Sequence, residues 1–464
     1  MKSRVLAVGL LPAVCALAAP APAPAPEPAS RILGAALAGT GGFEIVEHLC
    51  DRVGPRLSGS PNLDHAIRFT SERLRSFGLD RVWTEPVSVP HWERGAFEAS
   101  ITAPVSFPMV GLALGGSVPT PAGGVEAEVI EAATFEELTA KGEAVRGKIV
   151  LWNRRMAVGN GMDGYGAVAP LRSKGPSAAA KLGAVASLVR SLGTADFRLP
   201  HTGAMRYEAE VPKIPAAAIT AEDADRLHRL LQSGEPVRVR LHMTPRTLPD
   251  APSANVLAEL RGRERPDEVV VIGAHLDSWD VGCGAVDDGA GVAIVMETMR
   301  LLRALDLRPR RTLRAVLFTN EENGLAGGKA YAKAHAEELA RHVAAIEVDS
   351  GAGAPLGARV TAGPGAVEAL AEILRPLAAL GAAEAGDGGG GADISAMKPA
   401  GVPQIGFRQD TTHYFDVHHT DADTLDKIDR ADLTRNAAAF AVLAYGVADA
   451  DKPFAPIPED QRKD

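Results

Sequence analysis

Residues 275 to 291 read HLDSWDVGCGAVDDGAG, one His and four Asp in a Gly-rich segment. The apolar run Val269-Val270-Val271-Ile272 precedes it, and an apolar-periodic segment from Gly291 to Leu302 follows. Strand, polar loop and helix in that order form one unit of an α/β fold. The loop would place an imidazole and several carboxylates at the edge of the core, where charge is costly unless it is neutralised.

Working outward, the pattern repeats. Candidate strands lie at 269–274, 313–319, 343–348 and 402–407. Candidate helices lie at 290–305, 324–335, 364–380 and 430–447. Such alternation predicts a largely parallel sheet with helices on both faces, in which ligands gather outside the carboxyl ends of the strands. His275, Asp277, Asp287 and Asp288 follow the first strand, Glu321 and Glu322 the second, and Asp349 the third. The fourth leads through a loop to His418-His419-Thr420-Asp421-Ala422-Asp423-Thr424. Each group alone is weak: a strand-end His is commonly structural, and adjacent acids commonly start a helix. Together they would repel one another unless cations intervened. Imidazoles and carboxylates without a thiolate cluster suit zinc or another borderline divalent metal.

Residues 275 and 277 share a face of an extended strand. The Asp277 carboxylate is therefore expected to orient the His275 imidazole. Neighbours Glu321 and Glu322 point in different directions, so one can bind metal while the other addresses a water. Metal-assisted hydrolysis needs that division.

The chain has 464 residues, 46% hydrophobic and 23% charged, with a formal net charge of −9. It can bury a large core, and no basic patch suggests nucleic acid as a partner. The opening MKSRVLAVGLLPAVCALAAPAPAPAP has a basic start, a short apolar run and the site Ala16-Leu17-Ala18. It predicts a signal peptide over 1–18, cleaved near Ala18, and therefore an exported protein. Lipidation at Cys15 is the alternative, and Pro12-Ala13-Val14 fits its box poorly. No later run is long enough to span a bilayer. Cys50 and Cys283 then remain, which is no disulfide scaffold; whether they pair stays open.

Residues 19–30 form an Ala/Pro tether. The 62–77 segment predicts an amphipathic helix after the turn-rich VGPRLSGSPN. Between 115 and 246, short strands alternate with an Ala-rich helix and no His or Asp cluster occurs. This segment is expected to be an inserted domain without chemistry of its own, flanked by a main domain over 31–114 and 247–464. The run Asp387 to Gly391 (DGGGG) is expected to be a flexible loop, since it lacks the Lys-Ser/Thr of a phosphate cradle.

HLDSWDVGCGAVDDGAG, the NEENG segment, EVDSGAG and HHTDADT together resemble the co-catalytic dizinc aminopeptidase/carboxypeptidase family. VGPRLSGSPNLDHAI, GPSAAAKLGAVASLVRS and PHTGAMRYEAEVPKIPAAAIT extend the likeness over about residues 40 to 450. The resemblance implies a zinc exopeptidase fold, a mixed and largely parallel sheet with helices on both faces, and an insert of the protease-associated type. It implies two zinc ions per chain. Asp287 would bridge them, His275 and Asp349 would complete one site, and Glu322 and His419 the other. Glu321 would be the general base, and the bond between Asp287 and Asp288 would be cis. His419 is preferred to His418 because it stands four residues before Asp423-Thr424. Cys283 departs from the pattern, where relatives of this likeness carry Gln. The resemblance further implies small peptide substrates, in particular dipeptides with both ends free, and a homodimer.

Tyr414 is a candidate for stabilising an oxyanion, a phenol being able to donate to developing charge. Its alternative is packing beside the metal loop. The other readings are an aminopeptidase of the same family acting on longer peptides, and a non-catalytic binding protein on the same fold. A single-zinc acyltransferase such as a glutaminyl cyclase and a Cys283 nucleophile with His275 as its base complete the set. Retention of every ligand and of Glu321 weighs against the binder, and the 165–220 segment weighs against the cyclase.

Overall fold

The computed structural model describes residues 27 to 463 except 40, 160 and 196. The signal-peptide expectation, Cys15 and most of the tether lie outside the described residues. The chain forms two eight-stranded sheets.

In the first, the strands Arg311–Phe318, Arg265–His275, His342–Glu347 and Gln404–Gln409 lie side by side and parallel. Antiparallel strands flank them, Arg81–Glu93 and Arg246–Leu260 on one side and Pro355–Thr361 on the other. The apolar run at 269–272 is explained by burial on both faces. Val270, Ile272 and Ala274 enter one core, with the helices Ala290–Ala304 and Arg430–Asp449. Val269 and Val271 enter another, with Phe318, Tyr331 and Ile394. Alternate residues of a strand face opposite sides, so the run is apolar throughout.

The helix Pro61–Ser76 starts at a Ser60 cap that accepts from the Leu63 N–H, with Pro61 in the first turn where its missing donor costs nothing. Among the described residues no helix is long and apolar enough to cross a membrane.

The second sheet runs from Phe97–Ala103 to Arg238–Met243. These two strands pair antiparallel, which brings the chain into this layer before residue 115, where the texture of the sequence changes. The pairing of Glu93 with Arg246 marks where the chain crosses between the layers. Ile101, Val129, Leu151, Leu188 and Leu241 fill the second core.

Candidate metal centre

The parallel strands end at one edge, and the expected side chains meet there. His275 is buried at the end of its strand. Its Nε2 stands 3.0 Å from Asp287 Oδ1 and 3.7 Å from Asp349 Oδ1. The other oxygen of Asp287 lies 3.3 Å from His419 Nε2, which is 3.0 Å from Glu322 Oε2. Two three-residue groups therefore share Asp287: His275, Asp287 and Asp349, and Asp287, Glu322 and His419. Within each, the ligand atoms lie no more than 4.8 Å apart.

The donor set fits two divalent cations, being nitrogen and oxygen only. The tautomers fit as well. His275 Nδ1 is 3.0 Å from the Asp277 carbonyl oxygen and His419 Nδ1 is 3.3 Å from that of Thr202. A carbonyl can only accept, so each Nδ1 carries the proton and each Nε2 presents a lone pair to the group. Burial and the Asp287 charge push the Glu322 carboxyl up to about 7. Burial likewise holds Glu321 well above the usual carboxylate range, with Asp349, Glu322 and Asp277 adding to it.

The Asp287–Asp288 bond is cis, and His419 and Asn320 have positive φ, 58° and 63°. Non-glycine residues in that region are strained and need support. For His419 the support comes from Thr202, whose N–H donates to the His419 carbonyl at 2.9 Å. For Asn320 it comes from its own side chain, which accepts from Ala326 N at 3.1 Å and donates to Ser58 Oγ at 2.9 Å.

Two adjacent acids do different work. Asp287 faces the imidazoles. Asp288 accepts from the His275 and Gly291 N–H groups, each at 3.1 Å, and so ties the strand end to the following helix. A Cβ on Gly291 would come within 2.2 Å of the Asp288 carboxylate, so the position admits only glycine.

The expectation for Asp277 needs correction. Its carbonyl, not its carboxylate, holds His275; the nearer carboxylate oxygen is 3.9 Å from the ring. The carboxylate instead accepts from the N–H groups of Glu321 at 2.9 Å and Glu322 at 3.4 Å. Asp277 thus fixes both halves of the site, through different atoms.

The insert also departs from expectation, because it carries part of the site. His201 and Thr202 pack on the His418-His419 turn, and Tyr165 and Arg172 line the same cavity of about 760 Å³ as Asp287, Glu321, Glu322, Asp349 and Tyr414. His201 Nε2 is 3.0 Å from His418 Nδ1, and His418 Nε2 is 3.4 Å from Asp287 Oδ2. Neither His201 nor Arg172 stood out in the sequence, since neither belongs to a local cluster. The glycines of the DGGGG run line the cavity, and two of them are packed: a Cβ on Gly391 would strike the Glu347 carboxylate, and one on Gly389 the Arg359 carbonyl.

Tyr414 is buried, its ring centroid 4.7 Å from that of His418. Cys283 is absent from the cavity wall. It is a free thiol packed against the main core, and the Cys50 thiol donates to the Cys283 carbonyl at 4.0 Å. Arg56, fully buried in the turn-rich loop, donates to the carbonyls of Leu276 at 2.6 Å, Cys283 at 2.5 Å and Gly284 at 2.9 Å, stapling the metal loop from below. Asp423 completes the frame by accepting from Val286 N at 2.7 Å and Asp287 N at 3.2 Å.

Comparison with known proteins agrees with this geometry. Residues 255–444 match the model of peptidase family M28. The chain is similar to carboxypeptidase Q of Mus musculus, 41% identical over 410 residues that cover 88% of this chain and 86% of that protein. Carboxypeptidase Q of Homo sapiens is 39% identical with the same coverage. Among solved structures, a peptidase M28 precursor from Shewanella amazonensis SB2B superposes with a TM-score of 0.90 at 42% identity, covering 93% of this chain and 98% of that one. An aminopeptidase from Aneurinibacillus sp. strain AM-1, at 23% identity and a TM-score of 0.65 over 92% and 96% of the two chains, shares the fold.

Proposed function

Because the chain belongs to peptidase family M28, we propose that it is an exported dizinc exopeptidase that hydrolyses dipeptides and other short peptides. The observation that carries the reading is the Asp287 carboxylate, with one oxygen toward each three-residue group. In this reading His275 and Asp349 hold one zinc, Glu322 and His419 the other, and Asp287 both. Bound there, zinc lowers the pKa of water and polarises a carbonyl.

The chain's own groups supply the proton transfers. Glu321 takes the proton of the attacking water and returns it to the leaving amine nitrogen, a task suited to a carboxyl that burial has made more basic. Asp277 aims Glu321 through the backbone. Tyr165, Arg172 and Arg206 of the insert line the cavity beside the acids of the sheet edge, which supports a short substrate. The N-terminal segment supports export with cleavage near Ala18.

The test is a panel of free and end-blocked dipeptides, with metal content measured on the same sample. Turnover should disappear on chelation, return with zinc, and fall sharply when a terminus is capped. Full activity in metal-free protein, or efficient cleavage of internal bonds in long peptides, would overturn the reading.

A further inference from the structure

Five arginines are buried among the described residues: Arg56, Arg172, Arg190, Arg311 and Arg314. Three of them pair with carboxylates, Arg190 with Asp225, Arg311 with Glu268 and Arg314 with Glu259. Arg56 is consumed by three loop carbonyls. Arg172 differs from all of these. Its Nη1 donates to the Tyr165 hydroxyl at 2.5 Å and the Thr202 carbonyl at 3.2 Å, while its Nε is buried with no acceptor. No acidic side chain among the described residues pairs with it. A buried guanidinium without an anion is costly, and the structure keeps it at a cavity wall.

The position is built. A Cβ on Gly203 would lie 2.2 Å from Arg172 Nη1 and 2.3 Å from Cζ, so the guanidinium occupies room that only glycine leaves. The Tyr165 ring flanks it, its centroid 5.5 Å from Cζ. Arg172 Nη1 and His419 Nδ1 donate to the same Thr202 carbonyl oxygen, so the cation stands one peptide unit from the metal centre.

We propose that Arg172 binds the free C-terminal carboxylate of the substrate. The inference rests on the peptidase reading above. In a peptide cut at its last bond, the terminal carboxylate carbon lies three covalent bonds from the scissile carbonyl carbon, roughly 4 Å. An anion site adjoining a metal centre matches that reach. A guanidinium also suits a carboxylate, as a permanent positive charge and a charge-assisted hydrogen-bond donor. A substrate ending in an amide would leave the cation buried and unpaired, which is how a polar site rejects an analogue.

The experiment compares holoenzyme kinetics on Ala-Ala, Ala-Ala amide and Ala-Glu amide. Wild type should favour Ala-Ala over its amide by about 10- to 100-fold in kcat/KM, the usual worth of a hydrogen bond to a charged group. Arg172→Gln should bring that ratio close to one, chiefly through KM, and Arg172→Lys should restore part of it. The ratio is taken on one sample, so a misfolded fraction cancels. As a second readout, Glu321→Gln protein should bind Ala-Ala in calorimetry, and adding Arg172→Gln should weaken that binding about tenfold or more. An acid-to-amide ratio that Arg172→Gln leaves unchanged would overturn the assignment. So would wild-type cleavage of Ala-Glu amide as fast as Ala-Ala, since a side-chain carboxylate would then be the bound group. Failure of the wild-type holoenzyme on every dipeptide would instead remove the peptidase reading itself.

Discussion

His201 Nε2 lies 3.0 Å from His418 Nδ1, and the other nitrogen of His201 is buried without a partner. A buried N–H left unpaired is rarer than a buried lone pair, so the proton of His201 belongs on Nε2 and is donated to His418. His418 then carries its own proton on Nε2, which faces Asp287. Its neighbour His419 has the opposite tautomer, fixed by the Thr202 carbonyl. One segment of the insert thus gives two adjacent histidines opposite tautomers, His419 with a free lone pair on Nε2 and His418 with a proton there. His201→Ala should lower kcat about 10- to 100-fold with little change in KM or zinc content, the range for a residue that orients another. Unchanged kcat would show that the pair is only packing.

Glu321→Gln should keep its metal and lose about 100- to 10,000-fold in rate, the usual share of general-base catalysis. Asp277→Asn should cost about 10- to 100-fold, because its carboxylate aims Glu321 and Glu322 without touching the reacting atoms. Steady-state kinetics with metal analysis on both variants ranks them; a near-wild-type Glu321→Gln enzyme would remove Glu321 from its role.

Cys283→Ala should retain most of the activity, since the free thiol packs against the main core and lies off the cavity wall. Loss of turnover with both metals bound would return Cys283 to the chemistry.

How much of this was readable depended on locality. The residues that meet at the site follow the ends of the parallel strands, so the sheet pattern alone brought His275, Glu322 and Asp349 to one edge, with Asp287 on the loop after the first. The buried strands announced themselves as unbroken apolar runs. Arg56, Arg172 and His201 were illegible for the opposite reason. Arg56 reaches carbonyls more than 200 positions away, and His201 meets His418 across 217. Their neighbours in sequence carry no matching pattern. The role of Asp277 was misjudged because strand periodicity places side chains on a face and says nothing of which carbonyl an imidazole will find.

Arg56→Ala should destabilise the protein by about 3 kcal/mol or more. The change deletes a charged donor to three loop carbonyls and leaves them buried without it. Denaturant unfolding of zinc-loaded protein reads the loss. A change under about 0.5 kcal/mol, typical of a surface site, would mean that the metals alone hold the loop.

The metal-free protein should lose stability as pH rises from 6.5 to 8. Burial and neighbouring charge push the carboxyls of Glu322, Glu347 and Asp423 up to about 7, with Asp287 the added charge for Glu322 and Asp423 and Asp349 for Glu347. An acid whose folded pKa is raised binds its proton more tightly folded than unfolded, so its stability is lost as pH climbs through the folded value. His275 and His419, held above 6.5 by the facing carboxylates despite burial, act in the same sense. The imidazoles of His201, His418 and His342, held low by burial, pull the other way, but only below their ordinary value of 6.5. Above it the raised acids and imidazoles outnumber the one opposing group near this edge among the described residues, the Cys283 thiol, which its Cys50 neighbour holds below its ordinary value. Zinc replaces those protons as the neutralising charge, so the loaded protein should show a flatter profile and a higher Tm throughout. Thermal unfolding of matched metal-free and zinc-loaded samples across that interval reads both effects. A metal-free Tm that holds or rises from 6.5 to 8 would show that the acids at this edge are not waiting for a cation.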